Sequence, residues 1–465
     1  MAVKDILLGR LRGGETLSRG QQLRLTMSLA VPAILAQLSN VLMQYIDSAM
    51  VGRLGAGPSA SIGLVASSTW ILYGFAMAAA TGFSVQLAHA CGARDFVKAR
   101  SILKQGLTAV FFFAVLTGAL GFWISGPLPG WLGGEQAIRA DASAYFGIFS
   151  AFIPISATGY AASVMLQASG NMKVPSIVYI SMGVLDVIFN YIFIYVLDMG
   201  VAGAAWGTGV AESLASIFGI WYVLRRSSDL RLRGEKGSWM PSGHTLKVAL
   251  GISGPLWLQN LLMRGAYVMS TVIVAPLGAV AIAANSFAIT AESFCYMPGY
   301  GMEEAATTLI GQSLGAKRKD MAGKFAFVTM GSAALIMALL GVLLFFFAPG
   351  IMGLLSIDPE VVALGARVLR IEAFAEGFYA LSIVGFGVCA GAGDTLVPTA
   401  LNFGSMWIVR IGLALILTPM LGLVGYWISM AVELTLRGLI FLVYVRLGRW
   451  KRNIITPEAP ETVSA

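Results

Sequence analysis

The stretch Val41–Gly57, VLMQYIDSAMVGRLGAG, is apolar or small at nearly every position, yet it carries Asp47 in its interior. It returns 223 residues later as MSTVIVAPLGAV, Met269–Val280, with Ser270 where the first copy has the acid. In the same register Leu277-Gly278-Ala279 answers Leu54-Gly55-Ala56. A continuous apolar run of this kind reads as a membrane-spanning helix, which takes about 20 residues. A barrel strand would be shorter and would alternate. The returning copy says that the fold is built twice, and the missing acid says that the two halves differ in chemistry.

The same offset of 223 residues pairs Pro32 with Pro255, Gly92-Ala93 with Gly315-Ala316, Gly170 with Gly393, and Pro175 with Pro398. With one residue fewer, Gly200 and Gly203 meet Gly422 and Gly425. Twelve hydrophobic segments are read, centred near Gln37, Tyr73, Val115, Phe152, Val187, Ser213, Met263, Ala291, Leu340, Leu381, Ile408 and Val432. One period covers an even number of them, so the expected fold is an all-α integral membrane protein. It has twelve transmembrane helices in two six-helix lobes, related by a pseudo-two-fold axis along the membrane normal. The boundaries read as a cytoplasmic segment 1–26, a first lobe 27–224, a cytoplasmic linker 225–247, a second lobe 248–447 and a cytoplasmic tail 448–465. Substrate is expected in a cavity between the lobes.

Composition agrees. Of 465 residues 57% are hydrophobic and 12% charged, with a mean hydropathy of +0.79; soluble domains carry about 25% charged residues. The net charge of +8 does not mark a nucleic-acid binder, because the bases alternate from loop to loop. They cluster before the first segment (Arg10, Arg12, Arg19, Arg24) and after the second (Arg94, Lys98, Arg100, Lys104). They cluster again after the sixth (Arg225, Arg226, Arg231, Arg233, Lys236), the eighth (Lys317, Arg318, Lys319, Lys324) and the twelfth (Arg446, Arg449, Lys451, Arg452). By the positive-inside rule both termini face the cytoplasm. The first apolar run starts near Met27 behind an Arg-rich stretch, so no cleaved signal peptide is read. Cys91, Cys295 and Cys389 sit in apolar or junctional sequence and read as packing residues rather than as disulfides or metal ligands.

An intramembrane enzyme finds no support. The two histidines, His89 and His244, lie at a segment end and in the linker, and no zinc, phosphate-loop or dinucleotide motif occurs.

At the level of motifs the chain resembles the multidrug and toxic compound extrusion (MATE) family of secondary transporters. The likeness rests on IDSAMVGRLGA around Asp47, LQASGNMKVP around Gly170, MGVAGAA at Gly200, AESFCYMPGYG followed by AATTLIGQSLGA in span eight, and GAGDTLVPT at Gly391. It runs from about Pro32 to Arg446. It implies two six-helix lobes around a central cavity. It also implies export of organic cations or amphiphilic compounds driven by entry of H⁺ or Na⁺, in a multi-pass protein of the bacterial inner membrane working as a monomer without cofactor. The family usually places Asn four residues before Asp in span five, whereas here Asp186 precedes Asn190; a spacing of four still shares one helix face. The family's Arg-x-Pro in span eleven is here Arg410-Ile411-Gly412.

A charge at mid-membrane costs roughly 2.5–3.5 kcal/mol or more, so each such residue must face a cavity, pair or titrate. Asp47, with Asp186 and Asn190, reads as the ion-coupling cluster of the first lobe. A carboxyl held away from water suits a proton carrier, and a set of hard oxygens equally suits Na⁺, for which the same three residues would be the ligands. Glu292 and Glu304 of span eight and Glu376 of span ten are the candidate substrate contacts, with Glu303 as the alternative to Glu304. Glu372 and Glu376, four apart, are expected on one face. Arg264 and Arg410 are candidate neutralisers of these acids, and Glu433–Arg437 reads as an internal salt bridge. Tyr45 and Tyr73, with Phe294 and Tyr296, are placed to hold a flat cation by its charge against a ring face. The competing reading is a flippase for lipids or lipid-linked oligosaccharides, which needs a basic cavity; here acids outnumber bases in the spans.

Overall fold

The computed structural model of the chain describes residues 3–232 and 237–451. Arg233 and Lys236 of the linker, Arg452 and the rest of the tail lie outside the described residues. No strand occurs among the described residues. Among the described residues eleven helices are long and apolar enough to cross a membrane: Arg19–Gly52, Gly57–Gly92, Phe96–Ile124, Gln136–Ala168, Lys173–Val196, Gly200–Arg225, Gly243–Leu277, Ala279–Gly315, Lys319–Leu355, Leu396–Leu421 and Leu423–Leu447. The pair Pro359–Glu372 and Glu376–Gly391, bent by 59°, supplies the twelfth crossing between Leu355 and Leu396. They are numbered spans one to twelve in chain order, the bent pair being span ten. In hydrocarbon every backbone N–H must be satisfied inside the protein, and long apolar helices do this within each segment.

The duplication is written into the backbone. Gly55 and Gly278, which start spans two and eight, have φ of 114° and 91°, a region closed to side chains. Gly170 and Gly393 match at 88° and 86°. Even the non-glycine exceptions repeat: Arg94 at 58° and Lys317 at 59°, again 223 residues apart, end the turns after spans two and eight. Spans five and eleven each contain a π-helical segment, Ile192–Val196 and Gly404–Ile411. In span eleven this wider turn runs directly into Gly412, so the irregularity there arises from the backbone register where the family's pattern has a proline.

The described chain divides into two compact units, residues 38–257 and residues 1–37 with 258–465. Span one changes unit after Gln37 and span seven after Trp257. In the unit 38–257 the start of span seven is anchored by Trp257, whose ring stacks on Phe113 at 5.4 Å and whose Nε1 donates to the Phe75 carbonyl at 2.8 Å. Small residues let helices approach closely there, as lipid-embedded interfaces require. A Cβ on Gly159 would collide with Ser216 Oγ, and one on Gly209 would collide with the Phe152 ring. In the other unit Gly301 lies against the backbone of Ile34. The short helix Val3–Arg12 precedes span one, burying Leu7, Leu8 and Leu11.

Candidate ion and substrate site

The unit 38–257 brings the first-lobe candidates together. Asn190 Nδ2 donates to Asp47 Oδ1 at 3.0 Å and to Asp186 Oδ2 at 3.1 Å, so one amide bridges two carboxylates from spans one and five. The spacing of four between Asp186 and Asn190 puts both on one face, as read from the sequence. Both are 1% exposed, while Asp47 is half-buried. Asp186 Oδ1 and Asn190 Oδ1 are buried and accept no hydrogen bond among the described residues. An oxygen left this way in a buried polar cluster is a vacant acceptor for a cation or a proton.

Two local features hold the cluster. Span six passes so close that a Cβ on Gly207 would overlap Asn190 Oδ1 and lie 2.8 Å from the Asn190 backbone nitrogen. Just after Asn190, the π segment carries Tyr195, whose hydroxyl donates to the Met50 carbonyl at 2.7 Å and ties span five to span one beside Asp47. Glu212 of span six lies within electrostatic range of both acids, a fourth member that its sequence position did not place.

The other unit is organised differently. At the positions that repeat the first cluster, Val409 replaces Asp186 and Ser270 replaces Asp47. The neighbouring Arg410 points to span twelve instead, its Nε and Nη2 3.0 and 2.6 Å from Glu433 Oε2. Ser405 donates to Glu433 Oε1 at 2.7 Å, and Arg437 Nε lies 3.1 Å from the same oxygen. The expected Glu433–Arg437 ion pair is therefore present, and Arg410 joins it. Arg410 also lies within electrostatic range of Glu292 and Glu372, the acids of spans eight and ten for which it was a candidate neutraliser.

Those acids form a second group. Glu372 and Glu376 are 0% exposed and Glu292 5%, each within electrostatic range of the other two. All four carboxylate oxygens of Glu372 and Glu376 lack a hydrogen bond among the described residues. The expectation that Glu372 and Glu376 share one helix face fails, because the helix stops at Glu372 and restarts at Glu376 after the turn of Ala373, Phe374 and Ala375. Close approach of span nine fits the break: a Cβ on Gly341 would meet the Ala373 carbonyl at 2.6 Å and Glu376 Cβ at 3.2 Å.

A profile described as MatE matches residues 32–192 and again 255–416, two copies displaced by the 223-residue period and together covering most of the chain. The chain belongs to the MatE family. This MatE protein is 26% identical over 445 residues to a probable multidrug resistance protein NorM of Thermotoga maritima, covering 93% of this chain and 94% of that one. It is 26% identical over 442 residues to the multidrug resistance protein MdtK of Yersinia pestis, covering 91% and 95%. Its fold matches that of the Vibrio cholerae MATE transporter VcmN, solved as a point mutant, with a TM-score of 0.85 at 20% identity, covering 94% and 99%. A MATE protein solved with MaD3S gives a TM-score of 0.87 at 20% identity, covering 94% and 97%. The chain is thus a multi-pass protein of a transporter family, and the reading against an enzyme stands at that level.

The remaining sequence candidates of this MatE protein are scattered. Glu304 is 12 residues beyond Glu292, about 18 Å along the helix axis, and accepts from Gln37 Nε2 at 2.9 Å rather than joining the buried acids. Glu303 faces span ten, where a Cβ on Gly387 would meet its Cγ at 2.5 Å. Tyr73 packs edge-on to Tyr160 at 6.4 Å in the first unit, and Tyr45 lies half-buried on span one. Tyr296 packs on Tyr300 and Tyr379, and Phe294 is 43% exposed. Sequence reading passed over Gln259, Thr399 and Asn402, which hydrogen-bond to one another in the second unit; uncharged amides in apolar helices give no signal until they meet.

Proposed function

We propose that the protein is a secondary antiporter. It exports organic cations or amphiphilic aromatic compounds across the bacterial inner membrane in exchange for H⁺ or Na⁺, by alternating access, as a monomer with both termini cytoplasmic. Family membership and relatives named for multidrug resistance support the export. The coupling reading rests on one observation: an amide clamped between two carboxylates, with buried oxygens of Asp186 and Asn190 left vacant.

Either ion fits that donor set. No group of three His, Cys, Asp or Glu side chains in metal-holding arrangement occurs among the described residues. Na⁺ would be held by Asp47, Asp186 and, with its amide turned over so that the oxygen faces the two acids, Asn190, all hard oxygens. A proton would sit on one of the two facing carboxyls, which like charges disfavour ionising together. Either cation draws the two acids and the amide together and alters the packing of spans one and five. The acids Glu292 and Glu376, with Glu304 on the same helix as Glu292, suit a positively charged substrate. They do not suit the pyrophosphate of a lipid-linked sugar, which makes export of cations the better reading than a flippase.

The test is efflux of ethidium from proteoliposomes with the Na⁺ and pH gradients collapsed one at a time. Collapse of the coupling gradient stops uphill efflux in the parent protein. Asp47→Asn abolishes uphill efflux while ethidium affinity stays within about threefold. An Asp47→Asn protein that still pumps uphill at the parent rate sinks the coupling role.

A further inference from the structure

Span ten carries an exposed basic stripe within a membrane crossing. Its first half, the helix Pro359–Glu372, buries Val361, Gly365, Val368, Leu369 and Glu372 on one face. Ala363, Arg367 and Arg370, spaced four and three apart, share the opposite face, and all three are exposed. Phe374, in the turn that follows, continues the stripe. The basic clusters of the sequence sit in the loops, whereas these two arginines lie about 12 and 16 Å along the helix axis from Pro359. A cation held there is costly and ordinarily pairs with an acid. Among the described residues neither guanidinium meets one: Arg367 makes no hydrogen bond or ion pair, and the one hydrogen bond of Arg370 goes to a carbonyl.

That carbonyl explains where Arg370 points. Pro349, inside span nine, has no N–H to return to the Phe345 carbonyl four residues back. Arg370 Nε donates to this oxygen at 3.2 Å, and its guanidinium carbon stands 5.7 Å from the centre of the Phe345 ring. Phe374 and Phe346 each pack edge-on to the same ring at 5.5 Å. One side of the guanidinium is thus fixed by span nine, and both Nη groups are left without an acceptor among the described residues. Phe346 and Phe374 are 70% and 72% exposed. Large rings this exposed on a membrane-crossing surface belong against lipid rather than water, so the molecule that reaches the Nη groups is a lipid.

We propose that this stripe is a phospholipid site: Arg367 and Arg370 hold the phosphate of an anionic phospholipid, and Phe345, Phe346 and Phe374 pack against the start of its acyl chains. Helical side chains lean toward the N-terminus of their helix, so both guanidinium groups reach back toward Pro359 and the headgroup layer. A guanidinium fork matches two phosphate oxygens at once. Two cations with no acid between them favour a lipid of net negative charge over a zwitterionic one. With both termini cytoplasmic, span nine runs outward and Pro359 lies at the outer leaflet. Only the choice of leaflet depends on that orientation, and nothing in the site depends on what the protein exports.

The test uses the full chain in phosphatidylcholine vesicles doped with a phosphatidylglycerol probe that carries a diazirine near its ester bonds. Irradiation followed by peptide mass spectrometry locates the labelled residues. In the parent protein the probe labels residues 363–374 and the peptide containing Phe345 and Phe346, about threefold or more above a matching phosphatidylcholine probe. Arg367→Gln/Arg370→Gln lowers phosphatidylglycerol labelling there about tenfold, the effect of losing one charged hydrogen bond or a little more, and leaves labelling elsewhere as in the parent. Should the double variant fail to reconstitute, Arg367→Gln alone, which removes no contact within the described protein, gives a loss of about threefold. Excess glycerol phosphate in the buffer leaves the labelling unchanged, which separates a lipid headgroup from a soluble phosphate. Equal labelling by the two probes in the parent, unchanged labelling in the arginine variants, or suppression by glycerol phosphate overturns the inference.

Discussion

Replacing Glu433 by Gln removes the single negative charge from a buried group that also contains Arg410 and Arg437. Glu433 is 0% exposed and each arginine side chain 6%. The carboxylate is matched on both oxygens: Arg410 at 3.0 and 2.6 Å on Oε2, Ser405 at 2.7 Å and Arg437 at 3.1 Å on Oε1. Glu433→Gln therefore leaves two buried guanidinium groups facing a neutral amide. Breaking a buried pair from one side costs about 3–5 kcal/mol, and like-charge repulsion places this variant at the upper end. Arg410→Met instead leaves a neutral pair, Glu433 with Arg437, still held by Ser405. It forfeits charged hydrogen bonds worth about 1.5–3 kcal/mol. The expected order is Glu433→Gln more damaging than Arg410→Met, with the double variant less damaging than the sum. Reversible unfolding of the purified chain by SDS titration, followed by tryptophan fluorescence, measures all three. An Arg410→Met protein as unstable as Glu433→Gln would refute the charge argument. It would mean that Arg410 chiefly balances Glu292 and Glu372, with which it is also in electrostatic range.

Glu372→Gln and Glu376→Gln each lose no hydrogen bond among the described residues and relieve a like-charge neighbour, so each is expected to unfold no more easily than the parent in the same titration. A loss above about 2 kcal/mol shows that the carboxyls have partners after all. Gly207→Ala drives a methyl into Asn190 Oδ1, which should cost about 1–3 kcal/mol and depress uphill ethidium efflux; efflux at the parent rate means the amide clamp is dispensable. Trp257→Ala removes the stack on Phe113 and the bond to the Phe75 carbonyl, for an expected loss of about 3–5 kcal/mol read by thermal aggregation of the detergent-solubilised chain.

The duplication was legible because it is local. The Gly55/Gly278 and Gly170/Gly393 pairs need glycine for their backbone angles, so the repeat survives in letters where side-chain chemistry has drifted. The pairing of Asp186 with Asn190 was legible for the same reason, since a spacing of four on a helix fixes a face. The same rule failed at Glu372 and Glu376, where span ten turns at Ala373, Phe374 and Ala375 with neither Pro nor Gly to announce it. That Arg410 also bonds Glu433 was not legible, because its direct partner depends on the π register of Gly404–Ile411, which no residue type marks. The Gln259–Thr399–Asn402 group lay hidden because its members are 140 and 143 residues apart.

By itself, then, the sequence determined that the chain lives in a bilayer, how many times it crosses, and that it is built twice. These follow from hydrophobic run length and from glycine positions, which act within one helix or one turn. Only the tertiary structure decided which acids meet an amide, which meet arginines and which meet nothing. A buried charge is settled by whatever stands opposite it, and what stands opposite comes from another helix.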